Sequence, residues 1–249
     1  MPESTENQQK LFIVSTSPHL ITNVTTRRIM LDVMIALLPA AILGSIYFGW
    51  RALYIIAVSM LSCELTEAIF SKIMRVKWRL DGSALVTGLL FAMCLPADVP
   101  VYVVVVGCVF SIGVVKMLFG GIGMNILNPA LAGRVFVGIS FPGVFTKWTE
   151  NALVSSDALT SATPLTLNLK AHKFPEFFSQ MKLEASRLDL FDMFFGLHTG
   201  AIGEVACIGL IAGGIYLLIR KVISWHIPVA YIATFAIGSF LVWLTADET

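Results

Sequence analysis

The sequence predicts an all-α fold: a polytopic transmembrane helical bundle with broken or re-entrant helices and one long external loop. Three observations predict it. Hydrophobic residues make up 57% of the 249 positions and charged residues only 13%, with a mean hydropathy of +0.82. A soluble domain carries about 25% charged residues, so roughly half the usual charge is missing. Several apolar runs reach about 20 residues, the length that crosses a hydrocarbon core of about 30 Å. Finally, the basic clusters Arg27-Arg28, Lys72 to Arg79 and Arg220-Lys221 recur at run ends that alternate crossing would bring to one side. A net charge of +1 without a basic stripe argues against a nucleic-acid partner.

The chain reads as a single membrane domain over 1–249: a first helical block at 26–141, an external loop at 142–190 and a second helical block at 191–249. Residues 1–26 are polar and lack a long apolar core, so the first span is expected to act as an uncleaved signal. That span covers about 29–50, with Pro39 as an expected kink. The second covers about 52–74 and runs into the basic cluster. Asp81 to Pro96 is short for a crossing and bounded by Asp and Pro, which suggests a broken or re-entrant helix. The run 101–118 returns and ends beside Lys116. Phe119 to Arg134 holds Gly120, Gly121 and Gly123, which allow unwound backbone, with Asn125 and Asn128 able to satisfy freed peptide groups. No strand–helix–strand frame surrounds these glycines, so a dinucleotide fold is excluded, and one Asn-Pro-Ala does not match water channels, which pair two. The apolar run to Phe141 completes an outward crossing. After the loop, 189–199 is expected along the interface, 204–219 as an inward span and 225–244 as an outward one.

The loop carries Asp157-Ala158-Leu159-Thr160-Ser161-Ala162-Thr163-Pro164. A loop this long inside a compact fold is usually functional. The octapeptide resembles the site at which a flavin transferase esterifies FMN, through its phosphate, onto the last threonine. An uncrowded hydroxyl held extended by the following proline suits that chemistry; the alternative is a Ser/Thr-rich turn that caps a helix.

Together with the blocks 81–90 and 119–134, in that order, the octapeptide makes the chain resemble the D subunits of the Rnf complexes, ion-pumping ferredoxin:NAD oxidoreductases. It is similar also to the B subunits of the Na⁺-translocating NADH:quinone reductases, although its short polar N-terminus favours the former. The resemblance covers nearly the whole chain. It departs from the usual Ser-Gly-Ala-Thr at the attachment site, which stands here as Thr160-Ser161-Ala162-Thr163. Family members continue into further spans that complete two inverted repeats, so the chain is expected to be incomplete beyond Thr249.

The resemblance implies an electron carrier in a bacterial or archaeal cytoplasmic membrane, with covalent FMN on Thr163 and room in the family for a second, non-covalent flavin. Asp157, Thr160 and Ser161 are then recognition residues for the transferase. Asn125, Asn128 and Arg134 are candidates to line the flavin, against the simpler role for Arg134 of pairing with a carboxylate or capping carbonyls. The implied partners are the transferase, the other membrane and peripheral subunits, lipid, and Na⁺ or H⁺. Ion movement needs buried polar groups, and charges within spans are costly. Glu64 and Glu67, three residues apart on one helix face, Asp32 and Glu204 are the ion-path candidates; salt bridges to the basic clusters or Arg134 are the competing explanation. Cys63, Cys94, Cys108 and Cys207 fall in separate apolar segments and read as small buried hydrophobes. His19, His172, His198 and His226 share no spacing and receive no ligand role. Two rival functions stand beside this one: a secondary transporter or channel with broken helices and no flavin, and a non-redox scaffold for partner subunits.

Overall fold

A computed structural model describes residues 25–76, 80–145, 194–196 and 200–246, with side chains as far as Leu241. The external loop's octapeptide, and so Asp157, Thr160, Ser161 and Thr163, lies outside the described residues, as do His19, His172, His198, Lys77 and Arg79.

Every regular element among the described residues is helical. α1 (Thr26–Phe48) begins where the Thr25 hydroxyl accepts a hydrogen bond from the Arg28 amide, and it runs through Pro39. Gly49, at φ +73°, makes the tight turn into α2 (Trp50–Ile73), a conformation that a side chain would strain. At 1.5 Å per residue each of these helices is about 35 Å long, and both are apolar enough to cross a membrane. α3 (Ser83–Met93) follows, then α4 (Val101–Val109), which passes directly into a π-helix at Phe110–Met117. α5 (Pro129–Ser140), α6 (Cys207–Ile219) and α7 (His226–Ala246) complete the set. α7 packs against none of the other described helices, and its described side chains are largely exposed.

Small residues set the close approaches. On α3, a Cβ at Gly88 would lie 2.8 Å from Met60 Cα and 2.9 Å from Ser59 O, so glycine lets α3 lie against α2 backbone to backbone. Ser59 Oγ then donates to Gly88 O at 2.7 Å. Gly209 and Gly213 of α6 meet Ala40 and Ala36 of α1 in the same way. Phe91, Val103, Val104, Cys108, Ile112 and Val137 fill the core between α3, α4, the π-helix and α5.

Side-chain contacts sort the helix ends into two poles. Arg220, at the end of α6, bonds Asp32 near the start of α1, and Lys116 reaches Glu67 near the end of α2. Met30, Ser83, Lys116 and Asn128 line one cavity, which brings the starts of α1, α3 and α5 to the same pole. At the opposite pole Arg51 pairs with Asp98, and Tyr102 packs edge-on against Phe141. Tyr47 Oη donates to Phe195 O at 2.7 Å, so residues on both sides of the 146–193 segment sit at the Asp98 pole.

This arrangement refines two expectations. The segment 81–96 runs from the Lys116 pole to the Asp98 pole as a short helix with a non-helical tail, so it is broken rather than re-entrant. The inward span expected from Glu204 begins only at Cys207. Its leading residues leave the helix because Ile202 N and Gly203 N donate to Leu95 O and Met93 O, at 3.1 and 2.8 Å. Two interrupted helices thus meet end to side, each satisfying the other's free backbone groups.

Candidate functional site

Among the described residues, three constellations of buried or half-buried charged side chains lie in this apolar bundle. The most buried is centred on Lys116, whose side chain is 2% exposed. Its ammonium donates to Glu67 Oε1 and to Ser83 Oγ, both at 2.6 Å. Ser83 Oγ donates onward to Asp81 Oδ1 at 2.7 Å, and the same carboxylate oxygen accepts the Ser83 amide at 2.9 Å at the head of α3. Asp81 is the residue that an N-terminal helix turn favours, on capping and on dipole grounds. Taking each ion out of water costs several kcal/mol, so such a pair persists only where bonds of this geometry compensate. The π-helix changes the facing of the residues at its end relative to a continued α-helix, and such segments are frequent at functional sites. In the sequence Lys116 reads as the basic end of a span, and its burial is not visible there. Glu64, one turn from Glu67, is half-buried and makes no hydrogen bond to a described residue.

Beside this network lies a cavity of about 390 Å³ at the same pole. Lys116, Ser83, Thr87, Asn125 and Asn128 supply its polar wall, and Leu90, Ile122 and Ile126 part of the apolar one. Asn128 Oδ1 caps α5 by accepting the Ala130 amide at 3.0 Å. Asn125 Oδ1 is buried and has no hydrogen-bond partner among the described residues.

Arg134 does not join this cavity. It lines a second one, of about 430 Å³, with Cys94, Met93, Gly203 and Glu204 at the helix interruption. Its Nε donates to Cys94 O at 2.8 Å, and its guanidinium carbon sits 3.9 Å from the centre of the Phe145 ring. A cation at the carboxyl end of α3 complements both the free carbonyls and the helix dipole. Glu204 Oε2 accepts the Ala201 amide at 3.2 Å and faces the same cavity. Asp32 belongs to the third constellation: Arg220 Nη2 reaches both its oxygens at 3.1 and 3.2 Å, and Tyr216 Oη donates to Oδ1 at 3.1 Å. The structure therefore brings Asn125 and Asn128 together and sets Arg134 apart. It spreads the four carboxylate candidates over three places, with only Glu64 and Glu67 adjacent.

Comparison with known proteins gives a consistent result. Residues 13–249 match the family described as NQR2, RnfD, RnfE. The chain is 42% identical over 230 residues to the D subunit of the Na⁺-translocating ferredoxin:NAD⁺ oxidoreductase complex of Acetobacterium woodii, covering 92% of this chain and 69% of that protein. It is 37% identical over 243 residues to the D subunit of the proton-translocating ferredoxin:NAD⁺ oxidoreductase complex of Clostridium ljungdahlii, covering 97% and 72%. The D subunit of the ion-translocating oxidoreductase complex of Escherichia fergusonii is 32% identical over 273 residues, covering 96% of this chain and 75% of its own length.

Proposed function

The chain belongs to the NQR2, RnfD, RnfE family, and from that premise we propose that it is the membrane subunit of an ion-translocating ferredoxin:NAD oxidoreductase complex. It carries electrons through FMN esterified to Thr163 and couples them to the movement of Na⁺ or H⁺. The observation that carries this reading is the match to D subunits of such complexes along almost the whole chain, at up to 42% identity among the relatives named above.

The described geometry supports it. Both attachment points of the 146–193 segment lie at the pole opposite the basic ends Arg28, Lys72 and Arg220. If basic ends face the cytoplasm, Thr163 hangs on the outer side. A bound flavin supplies one- and two-electron chemistry, while the protein contributes position and electrostatics. Asp157, Thr160 and Ser161 present Thr163 to the transferase. Glu64 and Glu67 would line the ion route; Asp32, bound to Arg220 and Tyr216, and Glu204, bound to the Ala201 amide, would hold the helices at its flanks.

The test is a denaturing gel of the protein made alongside its transferase, viewed under ultraviolet light. The native band is expected to fluoresce and Thr163→Val to stay dark. A native band that stays dark contradicts the reading and favours a flavin-free transporter, which the interrupted helices and buried carboxylates would also suit.

A further inference from the structure

We propose that Glu67, Ser83 and Asp81 form a binding site for a small monovalent cation, and that Lys116 occupies it with its own ammonium until that side chain withdraws. The inference rests on the ion-translocating reading above and adds the place and the gate.

The ligand set is made of hard oxygens. Glu67 Oε1 and Ser83 Oγ each lie 2.6 Å from the Lys116 nitrogen, and Asp81 Oδ1 stands 2.7 Å behind the serine hydroxyl. Carboxylate and hydroxyl oxygens suit hard cations, as they do in other oxygen-ligated metal sites. The charge count points the same way. Glu67 is the ammonium's ion-pair partner, and Asp81 stands one hydrogen bond behind it through Ser83, so with Lys116 withdrawn the buried Glu67 charge loses its counter-ion. An uncompensated buried charge is severely unfavourable, so withdrawal requires another cation to enter. Lys116 is thus a competitor as well as a partner.

Two independent features let it move. The side chain also lines the 390 Å³ cavity, whose wall includes Thr87 and Asn128, so there is open space beside the ammonium into which it can withdraw. Lys116 also sits at the end of the eight-residue π-helix, where a change of hydrogen-bond register between π and α would re-aim it. An element that switched between those two registers would be the two-state device that coupling between sites needs. Ser83, at the first turn of α3, stays fixed by the Asp81 carboxylate. The oxygens are therefore preorganised, and the lysine is the mobile part.

The test uses the intact complex containing this subunit, with ²²Na⁺ as probe and choline chloride to hold ionic strength. Lys116→Met is expected to bind ²²Na⁺ at least tenfold more tightly than the parent at this site. Lys116→Met combined with Glu67→Gln, which removes both charges, is expected to assemble and to lose that gain. If Lys116→Met fails to assemble in choline, assembly is expected to return in sodium and not in choline; failure in both overturns the inference. A folded Lys116→Met with the parent's sodium affinity overturns it too, as does proton uptake on Glu67 with no sodium response. Ion uptake driven by ferredoxin oxidation in vesicles separates the two levels of the claim. A parent complex that translocates no ion defeats the functional reading, whereas one that translocates while Lys116→Met gains no sodium affinity defeats only the site.

Discussion

Substituting Gly213 by alanine tests the helix packing on which the buried networks depend. A Cβ there would fall on the Ala36 carbonyl oxygen and lie 2.9 Å from its carbon. Both are backbone atoms of α1 and cannot rotate aside, so α6 must retreat by roughly 1 Å to restore ordinary contact. That retreat carries Tyr216 and Arg220 with it, on the same helix one and two turns on. Their bonds to Asp32 start at 3.1 to 3.2 Å, and beyond about 3.6 Å they cease to be hydrogen bonds. Overpacking costs about 1–3 kcal/mol. Side-chain hydrogen bonds between membrane helices average about 0.6 kcal/mol, so the two partners add about 1 more. The expected loss is therefore about 2–4 kcal/mol, read as a shift in the unfolding midpoint in mixed micelles. Gly214→Ala is the internal control. Its Cβ meets nothing within 4 Å, and alanine favours a helix over glycine by up to about 1 kcal/mol. Equal effects of the two substitutions would refute the packing argument.

Other outcomes follow from particular contacts. Arg51→Ala removes an ion pair whose side chains are 61% and 46% exposed, so stability should fall by no more than about 1 kcal/mol. Arg134→Met leaves the Cys94 carbonyl without its donor and strips the cation from the Phe145 ring; a loss of about 1–3 kcal/mol is expected in the same unfolding assay. Gly88→Ala should cost about 1–3 kcal/mol, because the added methyl meets Met60 Cα and Ser59 O, neither of which can yield. Glu64→Gln should lower ion uptake in vesicles while leaving the ultraviolet fluorescence of the subunit intact; unchanged uptake removes Glu64 from the route.

Helix placement was legible wherever the pattern was purely apolar. α1 and α2 fall within three residues of the bounds that run length predicts, and α3 is as short as Asp81 and Pro96 imply. Composition could not show which groups the backbone breaks leave free. Glu204 reads as the head of a span, yet Gly203 and Ile202 bond the carbonyls that end α3, an interaction across more than 100 residues of sequence. Lys116 was hidden for a related reason. One basic residue at the end of a valine-rich run looks like an interfacial anchor, and only the π-helix and the facing Glu67 reveal its burial. The choice for Arg134 between lining a flavin and capping carbonyls stayed open in the sequence. The bond to Cys94 O gives the arginine a structural task.

The most direct test of the central claim is the intact mass of the chain purified from cells that also make the transferase. The account predicts a mass higher than the polypeptide's by one FMN less the water lost in forming the phosphoester, with the increment absent from Thr163→Val. A fully matured chain at the mass of the bare polypeptide would contradict it.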